Sequence, residues 1–235
     1  MNPLLEVREV NKSFKKQPAL TNINFVIEPG FTYGLIGRNG AGKTTLINLI
    51  LGILQPDSGE ILNNGLPIQQ RKDQNIGFAL GQGLYPSLTA REHLELLSLL
   101  KSNPISHSEL LQKLELDPHS RKRVKNFSMG MKQRLRLALA LNSNYPLILL
   151  DEPLNGLDPE GIKWFRGYIK EIQSQGTTFL LSSHILSETE KVIDKAIFLD
   201  KEIEWQGDLE EAIRLSPGGT LESFYYNLKA GKKNG

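Results

Sequence analysis

The stretch GLIGRNGAGKTT, residues 34–45, places glycines and one lysine directly after a short apolar run. Gly37, Gly42, Lys43 and Thr44 in this stretch fit the pattern G-x-x-x-x-G-K-[ST] without a gap. The apolar run FTYGLIG predicts a buried strand before the glycines, and TTLINLILGIL predicts a helix after them. A strand, a glycine loop and a helix in this order predict a phosphate-binding loop in an α/β fold.

The chemistry of such a loop follows from its backbone. Its N–H groups point inward at phosphate oxygens, and the start of the following helix adds a positive end. The Lys43 ammonium would reach the β- and γ-phosphates, and Thr44 would supply a hydroxyl to Mg²⁺. The alternative is a plain turn, but a chance match in this chain has a probability on the order of one in a hundred. The predicted contacts to the nucleotide are made by Arg38, Asn39, Gly40, Ala41, Gly42, Lys43, Thr44 and Thr45.

Composition limits the class of protein. The chain has 235 residues, 39% of them hydrophobic, which favours one domain, or one domain with an inserted lobe. A formal net charge of +2 with no basic stripe gives no reason to expect nucleic-acid binding. The absence of cysteine excludes disulfides and thiolate metal sites. No apolar run approaches the roughly 18 residues of a membrane span, so we expect a soluble, cytoplasmic chain.

The hydrophobic period predicts the organisation. LLEVREV and ALTNINFVIEPG predict strands of a β-rich N-terminal part, and NIGFAL, PLILLDEP, TTFLLSSH and KAIFLD predict further strands. Helices are predicted at GIKWFRGYIKEIQSQG and through SETEKVID, which gives a mostly parallel sheet covered on both faces. The predicted division is a core with its β part at 1–82 and 142–215, an inserted helical lobe at 83–141 and a C-terminal tail at 216–235.

Two carboxylates follow the strand PLILL. Asp151 is predicted to lie near the magnesium, and Glu152 to act as general base for a water that attacks the γ-phosphate. Acidic residues after a strand are also common in turns, so the functional interpretation of this pair depends on the presence of the phosphate loop. His184 ends TTFLLSSH, where it would reach the γ-phosphate or the water, although a lone histidine is more often structural. The other histidines, His93, His107 and His119, are predicted to be solvated.

Ser128 precedes a helix predicted to run to about Leu141 and is a natural N-cap. A helix N-terminus is also an anion site, so a functional interpretation stands beside simple capping.

In the C-terminal tail, Leu221, Phe224, Tyr225 and Leu228 recur at helical spacing. This stripe predicts a short amphipathic helix packed on the core.

These motifs together resemble the nucleotide-binding subunit of an ABC transporter. The resemblance rests on the loop at 37–45, NFSMGMKQR at 126–134, the Asp151-Glu152 pair, LNGLD at 154–158 and His184. It covers practically the whole chain and implies a P-loop NTPase with a RecA-like sheet and an inserted helical lobe. It also implies ATP and Mg²⁺ as ligands, and a dimer with ATP held between the loop of one copy and the signature helix of the other.

The resemblance implies further roles. Ser128, Met129 and Gly130 would contact the ATP held by a partner copy, and Asp158 would lie at the dimer interface and link the two sites. Phe14 would stack on adenine. The glutamine that the family uses to sense magnesium normally follows a strand like NIGFAL, and the role is assigned here to Gln82 because the strict place holds a glycine.

Departures from the family pattern occur in two motifs. Residues 127–131 are Phe-Ser-Met-Gly-Met, whereas the family most often has Leu-Ser-Gly-Gly-Gln. Met131 lacks the amide of that glutamine, so we expect an effect on interface affinity and turnover. LNGLD has Asn-Gly where Ser-Ala or Ser-Gly is frequent, and its aspartate is unchanged.

The phrases GLYPSLTAREHL, SMGMKQRL, GLDPEGI and SSHILSE resemble the exporter branch that serves drug, antibiotic-peptide or polysaccharide efflux in bacteria. The chain would then sit on the cytoplasmic face of a membrane and bind integral membrane subunits in a groove around residues 82–89. An importer subunit and an ABC ATPase that acts on ribosomes or DNA remain alternatives. The latter usually carry tandem nucleotide domains, a long coiled-coil insertion or basic extensions, and none of these is visible.

Overall fold

The computed structural model describes residues 2–70, 76–79, 83–98, 106–141 and 144–231. Gln82, the predicted magnesium-sensing residue, lies outside the described residues. The strands are, in chain order, β1 (Leu5–Phe14), β2 (Gln17–Ile27), β3 (Thr32–Ile36), β4 (Ser58–Asn63), β5 (Leu66–Pro67), β6 (Ile76–Ala79), β7 (Leu147–Leu150), β8 (Thr178–Ser183), β9 (Lys195–Asp200) and β10 (Glu202–Asp208). The α-helices are α1 (Lys43–Ile50), α2 (Ala90–Ser98), α3 (His107–Lys113), α4 (Met129–Ala140), α5 (Pro159–Ser174), α6 (Leu186–Thr189), α7 (Leu209–Leu215) and α8 (Leu221–Gly231).

The strands form two sheets. The N-terminal sheet is antiparallel, in the order β2-β1-β4-β5, as predicted for the β-rich part. The second sheet has the order β10-β9-β3-β8-β7-β6 and is parallel from β9 to β6. Its edge strand β10 pairs antiparallel with β9. The predicted fold class, a mostly parallel sheet with an antiparallel β part, is confirmed.

Alternation along the parallel strands divides the core between two faces. In β7, Leu147 and Leu149 pack in one buried cluster with α1 and the antiparallel sheet. Ile148 and Leu150 point the other way, into a cluster that includes α4, α5 and α8. A strand buried on both faces is continuously apolar, which is why LILL shows no alternation in the sequence.

The helical segment α2 to α4 begins with a capping box. Thr89 donates its backbone N–H to Glu92 Oε2 at 2.7 Å, and the Glu92 N–H donates to Thr89 Oγ1 at 3.2 Å. The backbone hydrogen bond from Thr89 lowers the pKa of the Glu92 carboxyl.

The division into core, lobe and tail stays a prediction. Within the described ranges, no helix has the length and apolar character needed to cross a bilayer.

The prediction that His93 is solvated is wrong. Its side chain is 2% exposed, because the loop before α2 folds over it. His93 Nε2 accepts the Tyr85 backbone N–H at 2.8 Å, and Nδ1 lies 2.8 Å from the Thr89 carbonyl oxygen. A neutral imidazole that donates from Nδ1 satisfies both contacts. His119 is exposed as predicted, whereas His107 is only half-exposed.

The helix predicted through SETEKVID is much shorter. It ends at Thr189, whose carbonyl accepts the N–H groups of both Val192 and Ile193 in a tight turn. These two β-branched residues are buried, so the chain leaves the helix to pack them in the core. The Asp194 N–H then donates to the Thr32 carbonyl at 2.8 Å and leads the chain into β9. Tertiary packing here overrides the local helical pattern.

The C-terminal helix α8 packs on the core as the sequence predicted. Phe224 is 7% exposed, and its ring centroid lies 4.9 Å from that of Trp205 and 5.8 Å from that of Phe198. Leu221 and Tyr225 are also buried. Lys229 pairs with the carboxylate of Glu204 at 2.8 Å and adds a polar contact to the same strands.

We predict that Phe224→Ala lowers the free energy of unfolding by about 3 kcal/mol, because it removes a large side chain from an aromatic cluster. The neighbouring exposed residue provides the control, since Tyr226→Ala is expected to change stability by about 0.5 kcal/mol or less. Urea unfolding followed by circular dichroism measures both. Equal effects of the two substitutions would show that α8 does not pack through its buried face.

Candidate active site

The phosphate loop begins where β3 ends. A Cβ atom at Gly37 would lie 2.3 Å from the Leu199 carbonyl oxygen, so the loop can pass the neighbouring strand only as glycine. The Gly37 N–H donates to the Ser183 carbonyl at 3.4 Å, which ties the loop to β8. The backbone is therefore fixed at the carboxyl edge of the parallel sheet.

Lys43 is the buried cation of the loop. Its side chain is 6% exposed, and Nζ donates to the Gly37 carbonyl oxygen at 2.7 Å. The same ammonium lies 3.2 Å from Glu152 Oε1. A buried charge needs such partners because desolvation is costly. The sequence predicted both residues in the site, and the structure brings them into contact.

Asp151 lies beside the first helical turn of α1. Thr44 Oγ1 donates to Asp151 Oδ2 at 3.2 Å, so the two predicted magnesium residues are adjacent. The buried hydroxyl of Ser182 donates to the other carboxylate oxygen and accepts the Glu152 N–H at 2.8 Å. One β8 side chain thus fixes both consecutive carboxylate residues.

Glu152 stands between two nitrogen groups. Its Oε2 atom lies 2.9 Å from His184 Nδ1, and its Oε1 atom faces Lys43. The Glu152 backbone has φ +50, an unusual conformation for a residue with a side chain and a recurrent feature of functional sites. Strand end, backbone strain and the Ser182 hydrogen bond together aim the carboxylate toward the phosphate loop.

The remaining loop residues form the exposed rim and the base of the site. Arg38, Asn39, Gly40 and Thr44 are exposed, Ala41 is buried, and Gly42 and Thr45 are intermediate. A cavity of about 240 Å³ lies beside residues 37–39 and is bounded by His184 and by Tyr225 and Tyr226 of α8. The sequence did not predict that α8 reaches the loop.

The structure does not bring the other predicted site residues into this cluster. In the part of the chain that is described, no hydrogen bond or ion pair joins Ser128, Met129, Gly130 or Asp158 to the phosphate loop. Ser128 Oγ accepts the Met131 N–H at 3.2 Å and caps α4, as predicted. Phe14 is 46% exposed and has the Lys12 ammonium 5.7 Å from its ring centroid.

Comparison with known proteins identifies the family. Residues 20–155 match the protein family described as ABC transporter. The lantibiotic transport ATP-binding protein SrtF of Streptococcus pyogenes is 37% identical over 217 residues, which cover 88% of this chain and 95% of SrtF. The bacitracin transport ATP-binding protein BcrA of Bacillus licheniformis is 39% identical over 203 residues, which cover 83% of this chain and 66% of BcrA. The chain belongs to the ABC transporter family.

Two solved structures share the fold of this chain. The chain superimposes on the ATP-binding subunit of an ABC transporter with a TM-score of 0.84 and a sequence identity of 31%. The superposition covers 96% of this chain and 99% of the other chain. It superimposes on a dimeric ATP-binding cassette with ADP and phosphate bound after hydrolysis with a TM-score of 0.79 and 27% identity, over 87% and 98% of the two chains. The chain is therefore an ABC ATPase that binds and hydrolyses ATP.

Two contacts of this ABC ATPase were not predicted. Ser182 was hidden inside an apolar strand, where the only signal was the pair of hydroxyl residues before His184 in TTFLLSSH. Gln133 of α4 donates its Nε2 to the Asn155 carbonyl at 2.9 Å and so joins the signature helix to the LNGLD turn. Both contacts depend on which elements pack together, and motif spacing carries no information about that.

We predict that Ser182→Ala lowers the rate of ATP hydrolysis about tenfold and the free energy of unfolding by about 1–3 kcal/mol. The substitution leaves the partly buried Glu152 N–H without its acceptor and the Oδ1 atom of Asp151 without its donor, while Oδ2 still accepts from Thr44. Phosphate release and urea unfolding measure the two effects. Ser174→Ala is the control, because Ser174 bonds only to a carbonyl of its own helix at an exposed position. A wild-type rate in Ser182→Ala would mean that Ser182 does not position the carboxylates.

Proposed function

We propose that the chain is the ATPase subunit of an exporter for antibiotic peptides, and that it works as a dimer bound to integral membrane subunits. The observation that carries the hydrolytic part is the Glu152 carboxylate held between Lys43 and His184. The transport part is supported by the lantibiotic and bacitracin transport relatives. Importer and ribosomal or DNA-directed functions have no comparable support.

Glu152 is proposed as the general base for water. In the structure its Oε1 atom pairs with the Lys43 ammonium at 3.2 Å. Phosphate oxygens of ATP carry more negative charge than one carboxylate, so they would draw the ammonium toward themselves. Glu152 would then be free to accept a proton from water, while His184 keeps Oε2 oriented from the other side. Lys43 stabilises the charge of the phosphates.

The proposed magnesium ligands are Thr44 and Asp151. A hydroxyl and a carboxylate that meet at 3.2 Å offer the hard oxygen donors that Mg²⁺ prefers, so the residues fit this ion. When bound, Mg²⁺ neutralises charge on the β- and γ-phosphates. Gln82 is retained as a proposed third magnesium residue. The loop residues 38–45 are proposed to hold the phosphates, and Phe14 to stack on adenine.

A second copy is proposed to complete the site. Ser128, Met129 and Gly130 lie at the start of α4, and within the described residues they form no hydrogen bond or ion pair with the phosphate loop of their own chain. A related cassette is dimeric with ADP and phosphate bound, which supports a head-to-tail pair in which these residues face the partner's ATP. Asp158 would then lie at the dimer interface, where it also caps α5 by accepting the Gly161 N–H at 2.7 Å.

Coupling to transport is proposed to occur at the cytoplasmic face of the membrane. The surface would be the groove around residues 82–89, of which 83–89 are described. Tyr85 in this segment is exposed while His93 holds its backbone, so the loop presents an aromatic side chain on a fixed support. A short cytoplasmic helix of the membrane subunit would bind here.

We predict that Glu152→Gln retains ATP binding, loses about 10²–10⁴-fold in turnover and accumulates as an ATP-bound dimer, because the amide keeps the shape but accepts no proton. Phosphate release, binding of a fluorescent ATP analogue and size-exclusion chromatography with ATP measure the three properties. Glu171→Gln on the exposed face of α5 is the matched control and should hydrolyse ATP normally. Full turnover by Glu152→Gln would remove Glu152 from the role of base.

We predict that the tagged chain copurifies from detergent extracts with an integral membrane protein of about six spans encoded by a neighbouring gene. Cells that produce both proteins should tolerate a lantibiotic or bacitracin better than cells whose ATPase subunit carries Glu152→Gln. Recovery with ribosomes instead, and no change in tolerance, would contradict the transport function.

A further inference from the structure

The side chain of Met129 packs directly on Gly156. Met129 is the first residue of α4, and Gly156 lies in the turn between β7 and α5. A Cβ atom at Gly156 would stand 2.4 Å from Met129 Cγ, far inside van der Waals contact, and 3.4 Å from its sulfur. The Met129 side chain is 51% exposed, so one side covers the glycine and the other faces solvent. In this conformation of Met129, a side chain at position 156 would overlap the methionine, so one of the two would have to move.

A hydrogen bond beside this contact holds the same turn. Gln133, one helical turn after Met129, donates Nε2 to the Asn155 carbonyl at 2.9 Å. Arg136 donates to Gln133 Oε1 at 2.9 Å and fixes the orientation of the amide. The Asn155 N–H in turn donates to the Glu152 carbonyl at 3.2 Å. The start of α4 thus holds two consecutive residues of the turn that follows Glu152.

We propose that Met129 is a positioning residue for the turn at 152–158, with Gly156 as the place that it requires. The inference rests on the proposed function, in which the start of α4 faces the ATP of a partner copy. ATP held there fixes Ser128 and Met129. Met129 then holds Gly156, and the turn keeps Glu152 in place for the ATP of its own chain.

This packing gives a physical account of one departure from the family pattern. The signature has methionine where the family usually has glycine, and the LNGLD turn has glycine where the family has alanine or glycine. In the observed conformation, methionine at 129 packs on the glycine form of the turn and would overlap the Cβ atom of the alanine form. The two motifs are therefore matched to each other within this chain.

A double-mutant cycle on the rate of ATP hydrolysis tests the pair. Met129→Ala removes Cγ and sulfur but leaves Cβ, which would lie 3.6 Å from the Cβ of an alanine at 156, an ordinary contact. Gly156→Ala is expected to reduce kcat about tenfold more in the Met129 chain than in the Met129→Ala chain. Equal reductions in the two backgrounds would overturn the proposal.

The control separates the contact from backbone strain. Gly156 has φ +74, which alanine adopts reluctantly, and Gly65 has φ +75 with open space around its Cβ position. Gly65→Ala therefore carries the same backbone strain without the overlap. It is expected to leave kcat unchanged, and a loss of kcat as large as that of Gly156→Ala would overturn the proposal.

A positioning role also predicts different effects of single substitutions at Met129 on kcat and on ATP affinity. Met129→Ala should lower kcat about fivefold, while the ATP affinity of the isolated chain stays unchanged. Met129→Leu should retain most of the wild-type kcat, because leucine keeps a side chain in contact with Gly156. A wild-type kcat in Met129→Ala would contradict the role. A chain that hydrolyses no ATP would contradict the proposed function instead. In that case, the urea unfolding midpoints of the same four chains would test the contact. Gly156→Ala should then destabilise the Met129 chain more than the Met129→Ala chain.

Discussion

The parallel pairing of β3, β8 and β7 is the constraint on which the site depends. Ile36 stands opposite Ser183, and Leu150 stands opposite Leu181. Because the strands run in one direction, the residues that follow them meet at one edge of the sheet. This edge brings the phosphate loop, the carboxylates after β7 and His184 together from places far apart in the chain. In this arrangement Lys43 and Glu152 come into contact at 3.2 Å.

Charge balance at that edge links folding to binding. Lys43 is buried, and its charge is compensated by a backbone carbonyl and by Glu152. The Glu152 carboxylate is in turn held by His184, and the Glu152 backbone N–H donates to the Ser182 hydroxyl. A buried ion pair contributes little net stability, but it keeps both side chains oriented. ATP phosphates would replace one partner of this pair, so the fold holds the site in a form ready for an anion.

The sequence predicted those parts of the site that are local in the chain. Loop, carboxylates and helix cap each consist of neighbouring residues, and their strands are apolar enough to be recognised. Contacts between distant elements were missed. The burial of His93 depends on the loop at Tyr85, and the early end of α6 depends on the core positions of Val192 and Ile193. Local periodicity contains neither fact, because tertiary packing decides both.

In the proposed dimer, each chain would contribute two different half-sites. The phosphate loop and Glu152 would belong to one, and the start of α4 would belong to the other. Within the described ranges, the connection between them runs from Gln133 to Asn155 and from Asn155 to Glu152, with Met129 against Gly156 beside it. Two of these contacts join α4 directly to the turn, so we expect a shift of α4 to move the turn as well. On this proposal a single chain would supply the cap of α4 to one nucleotide and the base to another, so hydrolysis would require a dimer.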